Sequence, residues 1–177
     1  NALTQYIQEE LHGDTLRAAA TEPPPRLGSH CLLGEENIRS LPFHTDVSNA
    51  ILYHHENADG SGPFGKKWKD VPLFARIIHL CDLLDVACRG KSHAADAWER
   101  AVAVLRGGRG TKFDTECTDA FLTAFSAASF HTLEDEQLED TLWSKVPRIK
   151  QELTFPQIKA LADFFAHIVD YKSPFTS

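Results

Sequence analysis

The stretch Ile51-Leu-Tyr-His54-His55-Glu56-Asn-Ala-Asp59-Gly60-Ser-Gly62-Pro63 decides the fold, because an apolar run ends there in two histidines and a carboxylate, then breaks into a glycine-rich turn. Val47, Ala50, Ile51 and His54 fall at i, i+3, i+4 and i+7, so His54 continues the apolar stripe of a predicted central helix. His55 lies about 100° further round, near the core edge. An imidazole that faces a core needs a partner for each ring nitrogen, or a metal. Hydrogen-bonded core histidines at a helix end are the ordinary outcome. A His-His-Glu run leading into Asp-Gly-Ser-Gly points instead to ligation.

Upstream, a weak apolar stripe over residues 3–11 gives way to the breaker Glu22-Pro23-Pro24-Pro25. A helix is predicted from about Gly28 to Leu41, with His30, Leu33 and Leu41 on one face, and His44-Thr45-Asp46 suits the start of the central helix. Downstream, Gly60, Gly62, Pro63 and Gly65 forbid regular structure, and Lys66-Lys67-Trp68-Lys69 forms an exposed basic patch. Asp70 suits an N-cap with Pro72 in the first turn. Leu73 to Val86 then reads as a helix apolar on nearly all sides, hence buried at the centre of the fold. Asp82 sits in its middle, where a carboxylate is costly unless paired with backbone or an arginine, or ligating a metal.

The remainder is helical as well. Ala94, Trp98, Ala101, Val102 and Leu105 make an amphipathic stripe ended by Gly107-Gly108-Arg109-Gly110; Asp114 caps a helix through Ala128; further helices are expected near 135–146 and after Thr154. No segment alternates as a strand, so the expectation is an all-α bundle of about seven helices. The 177 residues suffice for a real core, and no apolar run approaches membrane-spanning length. A net charge of −7, with acid gathered in Glu134-Asp-Glu-Gln-Leu-Glu-Asp140, argues against nonspecific nucleic-acid binding, and the lack of a long apolar run argues against a membrane partner. Cys31, Cys81, Cys88 and Cys117 show no CxxC spacing, which implies reduced thiols in a cytoplasmic protein. The absence of Met and the start at Asn1 suggest a fragment whose natural start lies upstream.

With these residues in place, the chain resembles the HD-GYP branch of the HD phosphohydrolase superfamily. The resemblance rests on His54-His55-Glu56-x-x-Asp59-Gly60-x-Gly62, on Pro72-Leu-Phe-Ala75-Arg76-Ile77-Ile78-x-x-x-Asp82-x-x-Asp85, and on Gly110-Thr111-x-Phe113-Asp114 ahead of Asp119-Ala120-Phe121-Leu122. It implies a bacterial, metal-dependent phosphodiesterase acting on cyclic di-GMP, with an HD-domain helical bundle around an iron or manganese site; zinc is the alternative, and a site holding no ion is also compatible. Carried over by position, His54, His55 and Asp82 match the family's ligands, Glu56, Asp59, Gly60 and Gly62 its structural motif. His30, 24 residues before His54, matches the separate ligand histidine, with His44 as its rival.

Three departures stand out. The family's His-Asp pair ahead of His30 is missing, since His12-Gly13-Asp14 is not that motif; the tyrosine before Pro63 is absent; and the phosphate grip after Asp82 is replaced by Cys88-Arg89-Gly90-Lys91-Ser92-His93, in which Arg89 and Lys91 are the candidate substrate contacts. The tail from Asp163 to Ser177 resembles the lead-in to a following domain of the same kind. The resulting expectation is an HD-GYP-like domain over residues 1–130 without its His-Asp motif, and a helical extension over 131–177, from a tandem protein. The first functional expectation is a phosphodiesterase with an incomplete site. The alternative is a non-catalytic sensing or dimerising module that regulates a neighbouring domain of the same polypeptide or pairs as a homodimer.

Overall fold

The computed structural model describes residues 25–88, 94–130, 135–146 and 149–172. Among these residues the α-helices are α1 (Pro25–Ile38), α2 (Leu73–Cys88), α3 (Ala94–Gly108), α4 (Thr115–Ala124), α5 (Ala127–Phe130), α6 (Asp135–Lys145) and α7 (Phe155–Lys172), with a 3-10 turn at Trp68–Asp70 leading into α2. No strand forms among the described residues; one isolated bridge joins Arg109 and Phe113. The all-α expectation holds. The apolar stripe at 3–11 and the pair Arg89 and Lys91 lie outside the described residues.

The core follows from the amphipathic stripe of α3. Ala101 and Leu105 are fully buried there, against Leu80 and Leu84 of α2 and Phe113 and Cys117 at the start of α4. Each large side chain so buried contributes about 1.5–3 kcal/mol. Asp114 starts α4 as its N-cap, accepting a hydrogen bond from the Glu116 amide and so satisfying a donor the helix cannot pair itself. The helix expected to run to Ala128 stops at Ala124, where Phe125 turns extended, and α5 is a separate short helix.

Two expectations need correction. The segment 48–55 is a run of turns, not the predicted central helix. Asn49 takes a left-handed φ of 62°, and amide bonds of mixed span (Ala50 to Val47, Tyr53 to Asn49, Glu56 to Tyr53) replace a regular ladder. Helix α2 buries only one side, through Ala75, His79, Leu80 and Leu84, while Leu73, Phe74, Ile77 and Ile78 are exposed. A sequence apolar all round therefore presents an apolar face to solvent in this chain.

Candidate metal centre

The turn segment is fastened to α1 at two places. The Glu35 carboxylate, nearly buried, accepts the amides of Asn49 (2.7 Å) and Leu52 (3.2 Å), which restores partners to backbone that no helix satisfies. One residue earlier, a Cβ on Gly34 would stand 2.7 Å from Ile51 Cγ2, so glycine is what lets Ile51 pack against the helix. The face of α1 turned inward thus runs through Cys31 and Glu35, both buried, rather than through His30 and Leu33 as the sequence suggested; His30 sits at its edge.

This fastening brings His54 and His55 onto His30 and Cys31. One ligand atom from each of the four lies within 4.8 Å of every other. His55 Nε2 and His30 Nε2 are 3.1 Å apart, and Cys31 Sγ stands 3.5 Å from His30 Nε2 and 3.9 Å from His54 Nδ1. His54 Nδ1–H donates to the Ile51 carbonyl at 2.5 Å, which fixes its tautomer and leaves the lone pair on Nε2. A ligand histidine characteristically donates its second nitrogen to a carbonyl in this way. From α2, His79 Nδ1–H donates to the His54 carbonyl at 3.1 Å and ties the same turn to the core.

The electrostatics of the two adjacent imidazoles suit ligation. Burial, with the neighbouring imidazoles acting in the same direction, lowers His54 and His55 below the usual histidine range; the Ile51 carbonyl and the Asp82 carboxylate partly oppose this at His54. The rings are therefore neutral at pH 7, the form a metal takes. Burial lifts the Cys31 thiol to about 11, with Glu56 adding to it. His79, 5% exposed, is lowered to about 4, chiefly by burial.

A pH dependence follows with a definite sign. A folded-state pKa below the unfolded value of 6.5 means that protonation favours the unfolded chain, so stability is full above about pH 6.5 and is lost as pH falls toward 4. For His79 the loss reaches on the order of 3 kcal/mol, and His54 and His55 act with the same sign. Urea midpoints of the metal-free chain at pH 7, 5.5 and 4 should fall in that order. His79→Gln, which keeps a donor for the His54 carbonyl, should flatten the series; an unchanged slope would place the acid sensitivity elsewhere.

Asp82 stands outside the four-residue group, near enough for its charge to act on His54. It lies on α2 beyond Arg76 and His79 at successive steps of three, the side of α2 from which His79 reaches the turn. His44 is likewise absent from the group. Glu56, 4% exposed, is not among the four grouped residues and closes the glycine-rich loop by accepting the amides of Phe64 (2.5 Å) and Lys66 (2.6 Å). A Cβ on Gly62 would lie 2.7 Å from Glu56 Cα and 2.8 Å from the Asn57 nitrogen, so the loop folds back only with glycine there. Asp59 holds the turn by accepting the Ser61 amide at 2.9 Å. Gly60 takes the left-handed region at φ 87°. The residue that sequence reasoning missed is Cys31. Its signal was its place beside His30, whereas the cysteines had been read only against one another.

The sequence pattern of the HD-domain family matches residues 24–117. A Vibrio cholerae protein named "probable cyclic di-GMP phosphodiesterase" is 45% identical over 104 residues, covering 53% of this chain and 24% of that protein. The "cyclic di-GMP phosphodiesterase response regulator RpfG" of Xanthomonas campestris is 37% identical over 101 residues, covering 55% of this chain and 25% of its own length. The chain thus spans about a quarter of the length of these relatives. In structure it is similar to a crystal structure titled as a cyclic GMP-AMP specific phosphodiesterase of Vibrio cholerae, with a TM-score of 0.70 and 24% identity, over 85% of this chain and 36% of that one; this likeness concerns the fold.

Proposed function

The chain belongs to the HD-domain family, and on that premise we propose that it is the metal-binding part of a cyclic-dinucleotide phosphodiesterase. The observation that carries this reading is the convergence of His30 from α1 with His54 and His55 from the turn segment. These imidazoles would hold a divalent ion, with the Asp82 carboxylate approaching from α2. Iron or manganese is what the resemblance implies, and zinc accepts the same donors. When bound, such an ion supplies Lewis-acid polarisation of a phosphodiester and activation of water.

The chain's own residues do the positioning. Ile51 and His79 fix the ring and backbone of His54, Glu35 holds the turn, and Glu56 shapes the loop beside it. Arg89 and Lys91 are proposed to grip phosphate. A second reading, a regulatory module docked on a neighbouring domain of the same polypeptide or on a second copy, draws on the apolar side chains exposed on α2 (Leu73, Phe74, Ile77) and on α7 (Phe155, Ile158, Phe165). Among the described residues no helix is long and apolar enough to cross a membrane.

The test is elemental analysis of the purified 177-residue chain beside an assay against cyclic di-GMP. Expected are a bound divalent metal and hydrolysis slower than about 1 per second, the low end for enzymes, because a four-donor group is small for a bridged pair of ions. A chain that takes up no metal overturns the reading. Fast turnover would show the site to be complete as it stands.

A further inference from the structure

We propose that Cys31 is itself a metal ligand, so that the centre is a three-imidazole, one-thiolate site suited to zinc rather than to iron or manganese. This rests on the metal-binding reading above and specifies its donor set.

The geometry is the first argument. Zinc's bond lengths to sulfur and to imidazole nitrogen, taken at the tetrahedral angle, give donor separations of about 3.6 Å for S to N and about 3.3 Å for N to N. Cys31 Sγ to His30 Nε2 is 3.5 Å, and His30 Nε2 to His55 Nε2 is 3.1 Å. Two edges of one coordination sphere, both meeting at His30, are therefore already at the right length, and Cys31 and His55 lie within 4.8 Å of each other. His54 adds a fourth, with its ring held by the Ile51 carbonyl.

The second argument is chemical. Cys31 is fully buried and in no disulfide, on the inward face of α1, one residue from His30. Thiolate is a soft donor that selects zinc, whereas manganese and magnesium prefer oxygen. Binding forms an S–metal bond, breaks the S–H bond and sends the proton to bulk water, so the ligand set has one negative charge. Four protein donors also match the four-coordinate shell that zinc favours, which can expand to five when a further ligand approaches.

Cobalt(II) loading of the full 177-residue chain reads the donor set directly. Expected is a near-ultraviolet thiolate-to-cobalt charge-transfer band, lost in Cys31→Ser while cobalt still binds, with zinc affinity weakened at least about tenfold, the smaller effect known even for groups behind the ligands. Should Cys31→Ser fail to fold, the converse variant, with Cys81, Cys88 and Cys117 replaced by serine, must keep the band. Cobalt uptake with no charge-transfer band overturns the thiolate and leaves the imidazole site standing. Survival of the band in Cys31→Ser overturns it too. No uptake of cobalt or zinc overturns both this proposal and the reading on which it rests.

Discussion

Replacing Asp114 with alanine is expected to lower the unfolding free energy by about 4 kcal/mol, the range for breaking a buried ion pair. Asp114 does two things at once. One carboxylate oxygen accepts from Arg76 at 2.5 Å, across from α2, and the other caps α4 through the Glu116 amide. Its side chain is 2% exposed and that of Arg76 17%, so neither can turn to water when its partner goes. Arg76 is further committed by lying over the Trp68 ring, and its Nε has no hydrogen-bond partner among the described residues. Asp114→Ala thus strands a guanidinium in a poorly solvated place and removes a cap worth about 1 kcal/mol. Against a total of roughly 5–15 kcal/mol, that is a large share. Asp114→Asn keeps an acceptor for the cap and should fall between. The pair Arg76→Leu with Asp114→Leu should recover part of the loss, because no charge is left unpaired. Urea denaturation gives all three. A loss under about 1 kcal/mol for Asp114→Ala would mean that the pair is solvated.

The Asp114 cap was legible in the sequence because capping is a local event: a capping acid, an acid in the first turn, then the stripe. The stripe of α3 was legible for the same reason, and Ala101 and Leu105 are fully buried where it placed them. The turn at 48–55 was not. Val47, Ala50, Ile51 and His54 carry helical spacing, but a left-handed Asn49 and the capture of two amides by Glu35, fourteen or more residues away, decide the backbone. A distant carboxylate leaves no mark on a local period. Burial of α2 was over-read for a related reason. Apolarity on every side says what a helix can bury, and the covering partner decides what it does bury; Leu73, Phe74, Ile77 and Ile78 remain exposed in this chain. The histidines were visible as residue types, but the inward face of α1 was off by one position, which hid Cys31.

His54→Ala is expected to abolish metal-dependent stabilisation altogether. Anything that binds only the folded state stabilises it by mass action, about 4 kcal/mol when free metal stands a thousandfold above its dissociation constant. Among the four grouped residues His54 is held on two sides: Ile51 holds its Nδ1–H, and His79 holds its carbonyl from α2. Removing the ring takes one donor away, and its tilted ring contact with His55, 3.9 Å between centroids, goes with it. Without metal the cost is smaller, one hydrogen bond of about 1 kcal/mol and some packing. The experiment is therefore a comparison of four melting temperatures, wild type and His54→Ala, each with zinc and with chelator. Wild type should lose most of its added stability to chelator, and the variant should show equal values in both conditions. A variant that still responds to zinc would show that His30, Cys31 and His55 suffice without His54. A wild type indifferent to zinc and chelator alike would leave these imidazoles as packing groups.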